Sequence, residues 1–210
     1  MALLHRATVT PSKLDLIAGW LPGRRWHQGA AGDLERVAAF RFDDPAGAVG
    51  IETMLVRYGD GPVHHVPLTY RDAPIPGCDV WLLGTAEHSV LGKRWVYDGA
   101  SDPVYLCALA GAIVAGTGEA EEFVDVDGRG TLERRAPAMT ARGTGVPGGT
   151  VPPVEEIRRI EDHGDRTVVH VGSLRIVINR RFTDGDLPAA ALAGRWGDHP
   201  EVILAYLSNG

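Results

Sequence analysis

The sequence predicts an α+β fold, with a curved antiparallel sheet packed on helices and a smaller β-rich segment after it. Three features predict this. An amphipathic helical repeat opens the chain, and a meander of alternating strands with hairpin-type turns follows. No strand leads into the long helical crossover that a parallel sheet requires.

Thr10-Pro11 is expected to open the first helix, because threonine can cap and proline suits the first helical position. Leu14, Ile17, Ala18 and Leu21 recur at helical spacing, which predicts a helix over residues 11–21 that Pro22-Gly23 stops. Strand-like runs follow at Leu34–Phe42, Gly50–Tyr58 and residues 63–70, with a turn at Gly59-Asp60-Gly61-Pro62 between the last two. Residues 80–86 and 94–97 are further strand candidates. Asp102-Pro103 starts a second helix, capped by the carboxylate, that runs to Ala115 and stops at Gly116. Tyr105, Leu109, Ile113 and the alanines around them make it the most apolar helix, expected to pack on the sheet.

Residues 143–153, rich in glycine and proline, read as a flexible loop or linker. It separates residues 1–142 from 154–210, which are expected either as two units or packed as one. Beyond it, Arg166–Val171 and residues 174–182 alternate around Gly172-Ser173 as a hairpin. A short helix over residues 187–193 and a closing apolar run at 202–207 complete the expected elements.

Composition bounds the function. The 210 residues are 44% hydrophobic and 23% charged, ordinary for a globular protein. A net charge of -6 argues against nucleic acid and against an anionic membrane surface. The longest apolar run, residues 104–115, falls short of the roughly 20 residues that cross a bilayer. Residues 1–10 lack an apolar signal core, so a cytoplasmic location is expected, with Cys78 and Cys107 as reduced, half-buried thiols.

Chemistry-bearing patterns are weighed by their context. Gly143-x-Gly145-x-x-Gly148 spells a dinucleotide fingerprint. However, Pro147 sits inside it and Pro152-Pro153 follow, so no helix N-terminus can receive a phosphate. His163-Gly164-Asp165 resembles a phosphotransferase catalytic loop. That loop needs a magnesium-binding Asn where His170 stands, and a turn between strands is the expected role. His64 and His65 are adjacent on a strand, so their rings face opposite ways and cannot share a metal; one is expected in the sheet face and one in solvent. The acidic run Glu119, Glu121, Glu122, Asp125 and Asp127 reads as a solvated strand edge. Trp20, Trp26, Trp81, Trp95 and Trp196 are expected as core anchors, with sugar stacking the rarer use.

The stretch Leu21-Pro22-Gly23-Arg24-Arg25-Trp26-His27-Gln28-Gly29 resembles the opening of bacterial maltokinases. Val66-Pro67-Leu68-Thr69-Tyr70-Arg71 is similar to their next strands. Trp95-Val96-Tyr97-Asp98 and Asp102-Pro103-Val104-Tyr105 resemble the segment entering the helix of their N-terminal cap. The resemblance spans roughly residues 10–120 and implies a cap in which a curved antiparallel sheet embraces a helix. Past the linker it implies a degenerate kinase N-lobe. Arg180-Arg181 match the family's paired arginines, which puts Val177 where the nucleotide lysine belongs. His199-Pro200-Glu201-Val202-Ile203 puts Ile203 where its glutamate partner belongs. Gly164-Asp165-Arg166-Thr167 falls on the phosphate loop. No lysine follows Lys93, so a slip in register restores neither group.

With an ion pair replaced by a Val–Ile contact, and little chain left for a metal-binding lobe, the expectation is no catalytic residue, no cofactor and no metal. The expected role is a non-catalytic binding or regulatory protein associated with α-glucan or trehalose (maltose 1-phosphate) metabolism. The expected partner is a carbohydrate-active enzyme, a kinase or a second copy of the chain. The alternatives are a sugar or sugar-phosphate binder, using Arg24, Arg25, Trp26 and His27, or a subunit of a carbohydrate kinase or glucan-modifying complex.

Overall fold

The computed structural model describes residues 2–4, 8–29, 32–125, 132–150, 154, 156–182 and 188–209. Helix α1 (Lys13–Trp20) starts at Ser12 rather than Thr10. The Ser12 hydroxyl accepts the Asp15 N–H and the Asp15 carboxylate accepts the Ser12 N–H, a reciprocal capping box. Thr10 instead belongs to the short strand β2 (Val9–Thr10), which pairs with Glu87 and His88.

The meander forms as its alternation predicts: β3 (Leu34–Phe42), β4 (Gly50–Tyr58), β5 (His64–Arg71), β6 (Leu82–His88) and β7 (Gly92–Asp98). They build one antiparallel sheet in the order β2-β6-β7-β5-β4-β3. Helix α1 touches both β6 and β3, near opposite ends of that order, so the sheet curls around the helix. Leu16, Ile17 and Trp20 meet Met54, Val56, Val66, Leu68 and Val96 inside the curl.

Helix α2 (Pro103–Ala115) covers the opposite face. Asp102 caps it through Val104 N–H at 2.9 Å and holds the Arg71 guanidinium in a two-pronged pair at 2.7 Å per bond. The cap residue thereby ties the helix to β5. Gly116 ends the helix in the left-handed region at φ 64°.

The fold is more β than the α+β expectation. The segment after α2 adds β8 (Glu122–Asp125), β9 (Leu132–Arg135), β10 (Thr140–Gly143), β11 (Ile157–His163), β12 (Arg166–Val171), β13 (Leu174–Asn179), β14 (Ala191–Arg195) and β15 (Val202–Asn209). Six of these form a second antiparallel sheet, β10-β14-β15-β13-β12-β11. The expected helix over 187–193 is instead the strand β14; Leu187 lies outside the described residues. Alanine propensity yields there to pairing with β10 on one side and β15 on the other.

A third, three-stranded sheet joins β1 (Ala2–Leu4), β8 and β9. β8 is therefore the middle strand, not the solvated edge that its acidic residues suggested, and Asp127 lies outside the described residues.

Two further expectations change. The glycine-rich stretch is not a free linker. Its first residue, Gly143, ends strand β10 of the second sheet, so that sheet begins before residue 142. The residues after it run along the last turn of α2, where Gly145 and Val146 donate to the Ile113 and Val114 carbonyls at 2.9 and 3.0 Å. These amides satisfy carbonyls that a helix C-terminus leaves unpaired. Glycine is required for that approach: a Cβ on Gly145 would lie 2.0 Å from the Val114 oxygen, and one on Gly143 1.9 Å from the Ala112 oxygen. Pro152 and Pro153 lie outside the described residues.

The core is shared across the chain. One apolar cluster joins Phe40 and Ile51 of the first sheet, Tyr105 and Leu109 of α2, and Ile176 and Leu204 of the second sheet. Helix α2 is thus a central layer, which explains why its sequence is apolar on nearly every side. Cys78 is half-buried and Cys107 exposed, and both are free thiols. Among the described residues, no helix is long and apolar enough to cross a membrane.

Candidate functional site

The four loop residues singled out from the sequence line neither of the two cavities described below. Trp26 is 1% exposed, so its ring offers no face to a ligand. It packs edge-on to Trp20 with centroids 5.8 Å apart, and the Arg180 guanidinium lies 4.9 Å from its centroid. Arg24 stacks over Trp20 at 4.6 Å, while Arg25 is exposed. His27 packs between Tyr58 and His64 with centroids 5.7 and 5.3 Å away, and burial lowers its pKa. The loop is a plug joining the first sheet to the second.

Behind it lies a buried polar junction. Asp98, at the end of β7, pairs with Arg180 at 2.6 Å, and neither side chain reaches solvent. Arg180 Nε donates to Thr167 Oγ1 at 2.7 Å, and that hydroxyl donates to Asp162 Oδ1 at 2.7 Å. Both histidines of the pair are buried here, contrary to the expectation of one in solvent, because the segment around Arg180 covers β5. His65 donates from Nδ1 to the Asn179 carbonyl at 2.8 Å, and its own N–H donates to the Arg180 carbonyl. His64 Nε2 accepts the Gln28 N–H at 3.2 Å. Burial, then the charges of His27 and Arg181, lowers the His64 pKa to about 4. Burial chiefly lowers that of His65 to about 3.

Val177 and Ile203 lie in the second sheet. The register sets Val177 opposite Tyr206 and Ile203 opposite Ala193, so each meets its own neighbour rather than the other. Ile203 sits on a strand, whereas the glutamate with which the sequence resemblance aligns it stands on a helix in a kinase. His163-Gly164-Asp165 forms the β11–β12 turn, with Gly164 at φ 57°. The Asp165 carbonyl accepts the Arg180 N–H at 2.7 Å, and its carboxylate pairs with Arg181.

A cavity of about 600 Å³ opens instead at the N-terminal end of α1, between that helix, β3, β4 and the β6–β7 hairpin. Its floor is Glu52, 4% exposed, on the α1-facing side of β4. Glu52 Oε2 accepts Lys13 Nζ, Tyr70 OH at 3.1 Å and Arg41 Nη2 at 3.2 Å, and Arg41 also lies 3.8 Å from Glu122. Burial pushes the Glu52 carboxyl up, but the combined charges of Arg41 and Lys13 outweigh it and hold the group below the usual carboxylate range. Burial lowers the Lys13 pKa against the pull of Glu52. Burial and the Glu52 charge raise that of Tyr70 well above its ordinary value.

Sequence reasoning missed this site. The available signal was a glutamate inside the apolar run Ile51-Glu52-Thr53-Met54-Leu55-Val56, together with one of only two lysines at a helix start. A second cavity, about 920 Å³ and largely apolar, lies between α2 and the β3–β4 loop beside the exposed Cys107. Among the described residues, no three His, Cys, Asp or Glu side chains gather as a metal would require.

No curated protein matches the chain. Residues 20–102 match the sequence model of the maltokinase N-terminal cap domain. The match runs from the last residue of α1 through the curled sheet to the cap of α2, and it leaves α2 and the second sheet outside. Over this stretch the chain is similar to the maltokinase N-terminal cap domain, as the Leu21–Gly29 and Val66–Arg71 motifs imply.

Proposed function

We propose that the chain acts as a non-catalytic binding or regulatory protein linked to maltose, trehalose or glycan metabolism. The cap match supports the metabolic link. The non-catalytic reading is carried by one observation: Val177 and Ile203 are aliphatic and set against different neighbours in an antiparallel sheet. Phosphoryl transfer is mostly electrostatic positioning by a lysine, its paired glutamate and bound metal, and an aliphatic pair supplies none of that. The Asp98–Arg180 pair is fully buried, out of reach of a nucleotide, and is no substitute. A partner enzyme or kinase would then supply any chemistry in which the chain takes part.

A second reading, a small-molecule binder of the sugar or sugar-phosphate class, is favoured by the cavity over Glu52, whose volume suits such a ligand. The test of the first reading is an assay of the purified chain with Mg·ATP and maltose, followed by phosphorus NMR. No maltose phosphate above a heat-inactivated control is expected. Product that scales with protein concentration and co-purifies with the chain would overturn it.

A further inference from the structure

We propose that the cavity at the N-terminal end of α1 is a binding site for a small polyhydroxylated anion, with Arg36, Arg94 and Arg135 meeting the anionic group and the Glu52–Tyr70 pair facing the hydroxyls. This deepens the small-molecule reading above and rests on it.

The charge pattern carries the inference. The chain as a whole has a net charge of -6, yet the cavity lining carries more basic than acidic side chains. Lys13 and Arg41 are neutralised by Glu52 and Glu122. The Asp44 carboxylate is engaged by the backbone N–H groups of Ala46, Ala48 and Val49. Among the described residues, no carboxylate forms an ion pair with Arg36, Arg94 or Arg135, which line the same cavity. Planar guanidinium groups are suited to phosphate or carboxylate oxygens.

The floor complements a polyol. Tyr70 donates its hydroxyl hydrogen to Glu52, so its oxygen remains an acceptor for a ligand hydroxyl. Lys13 and Arg41 hold Glu52 charged and fixed, which makes the floor preorganised. A volume of about 600 Å³ holds a monosaccharide bearing one anionic group.

Calorimetry of the full chain with glucose 1-phosphate, glucuronate, glucose and inorganic phosphate tests the proposal. One or both charged sugars are expected to bind saturably, with affinity that falls as salt rises; which one binds distinguishes phosphate from carboxylate. Glucose and phosphate alone are expected to bind at least about tenfold more weakly, having lost one half of the contacts. The Arg36→Gln/Arg135→Gln variant alters two exposed side chains and is expected to keep its melting temperature while losing about tenfold in affinity. Arg25→Gln, in the loop away from the cavity, is expected to bind as the parent does. Binding that survives the double variant, or that is lost with Arg25→Gln, places the ligand elsewhere and overturns this site while leaving the small-molecule reading intact. Absence of binding by every probe overturns both, and leaves the non-catalytic reading to the ATP assay.

Discussion

Asp98 and Arg180 meet in the interior with no solvent around either, an arrangement whose desolvation cost can exceed the attraction between the charges. Three contacts support it: Ala100 N–H donates to Asp98, Thr167 accepts from Arg180, and Trp26 lies under the guanidinium. The histidines beside it respond to acid. His64 and His65 have folded-state pKa values of about 4 and 3, below the ordinary value near 6.5. As pH falls from about 6.5, the unfolded chain takes up protons that the folded chain refuses, so stability falls with pH through the window down to about 4. Each histidine contributes a slope of up to about 1.4 kcal/mol per pH unit. Urea denaturation at pH 7.5 and 5.5 is expected to differ by on the order of 2 kcal/mol, with the lower pH less stable. An unchanged urea midpoint between those pH values would contradict it.

At the scale of elements, the glycine-rich loop serves the C-terminus of α2. The same spelling that matches a dinucleotide fingerprint is used to bring two backbone strips together, and the donors end on helix carbonyls rather than an anion. Gly145→Ala is expected to push the loop off the helix and break two hydrogen bonds, costing about 2–3 kcal/mol. Gly111→Ala, within α2 and with nothing near a new Cβ, is expected to be neutral or stabilising by up to about 1 kcal/mol. Thermal melts of the two variants check this, and similar melting temperatures would contradict it.

The first-sheet strands and α2 were legible because hydrophobic alternation, the Asp102 cap and the Gly116 stop are local signals. β14 was not, since Ala191-Leu192-Ala193 suits a helix until two partner strands claim its backbone. β11 was equally hidden, because an edge strand with Arg158, Arg159, Glu161 and Asp162 shows no apolar alternation.

Over the whole molecule, the sequence indicated the first sheet and part of the second, and left open whether they pack as one unit. Their shared core rests on contacts between distant residues, such as Phe40, Leu109 and Ile176, which no spacing rule encodes. The candidate site was hidden for the same reason. Lys13, Glu52 and Tyr70 are far apart in sequence and meet only because the sheet curls around α1. The loop motif that did stand out, Arg24 to His27, is a packing plug with Trp26 inside.

The proposed role turns on the second sheet, where Val177 and Ile203, which the sequence resemblance aligns with a nucleotide lysine and its glutamate, are aliphatic residues on strands. Calorimetric titration of the full chain with Mg·ATP is the most direct measurement. No saturable heat up to millimolar nucleotide is expected. Saturable one-to-one binding that competes with ADP would contradict the proposed loss of a nucleotide grip and, with it, the proposed non-catalytic role.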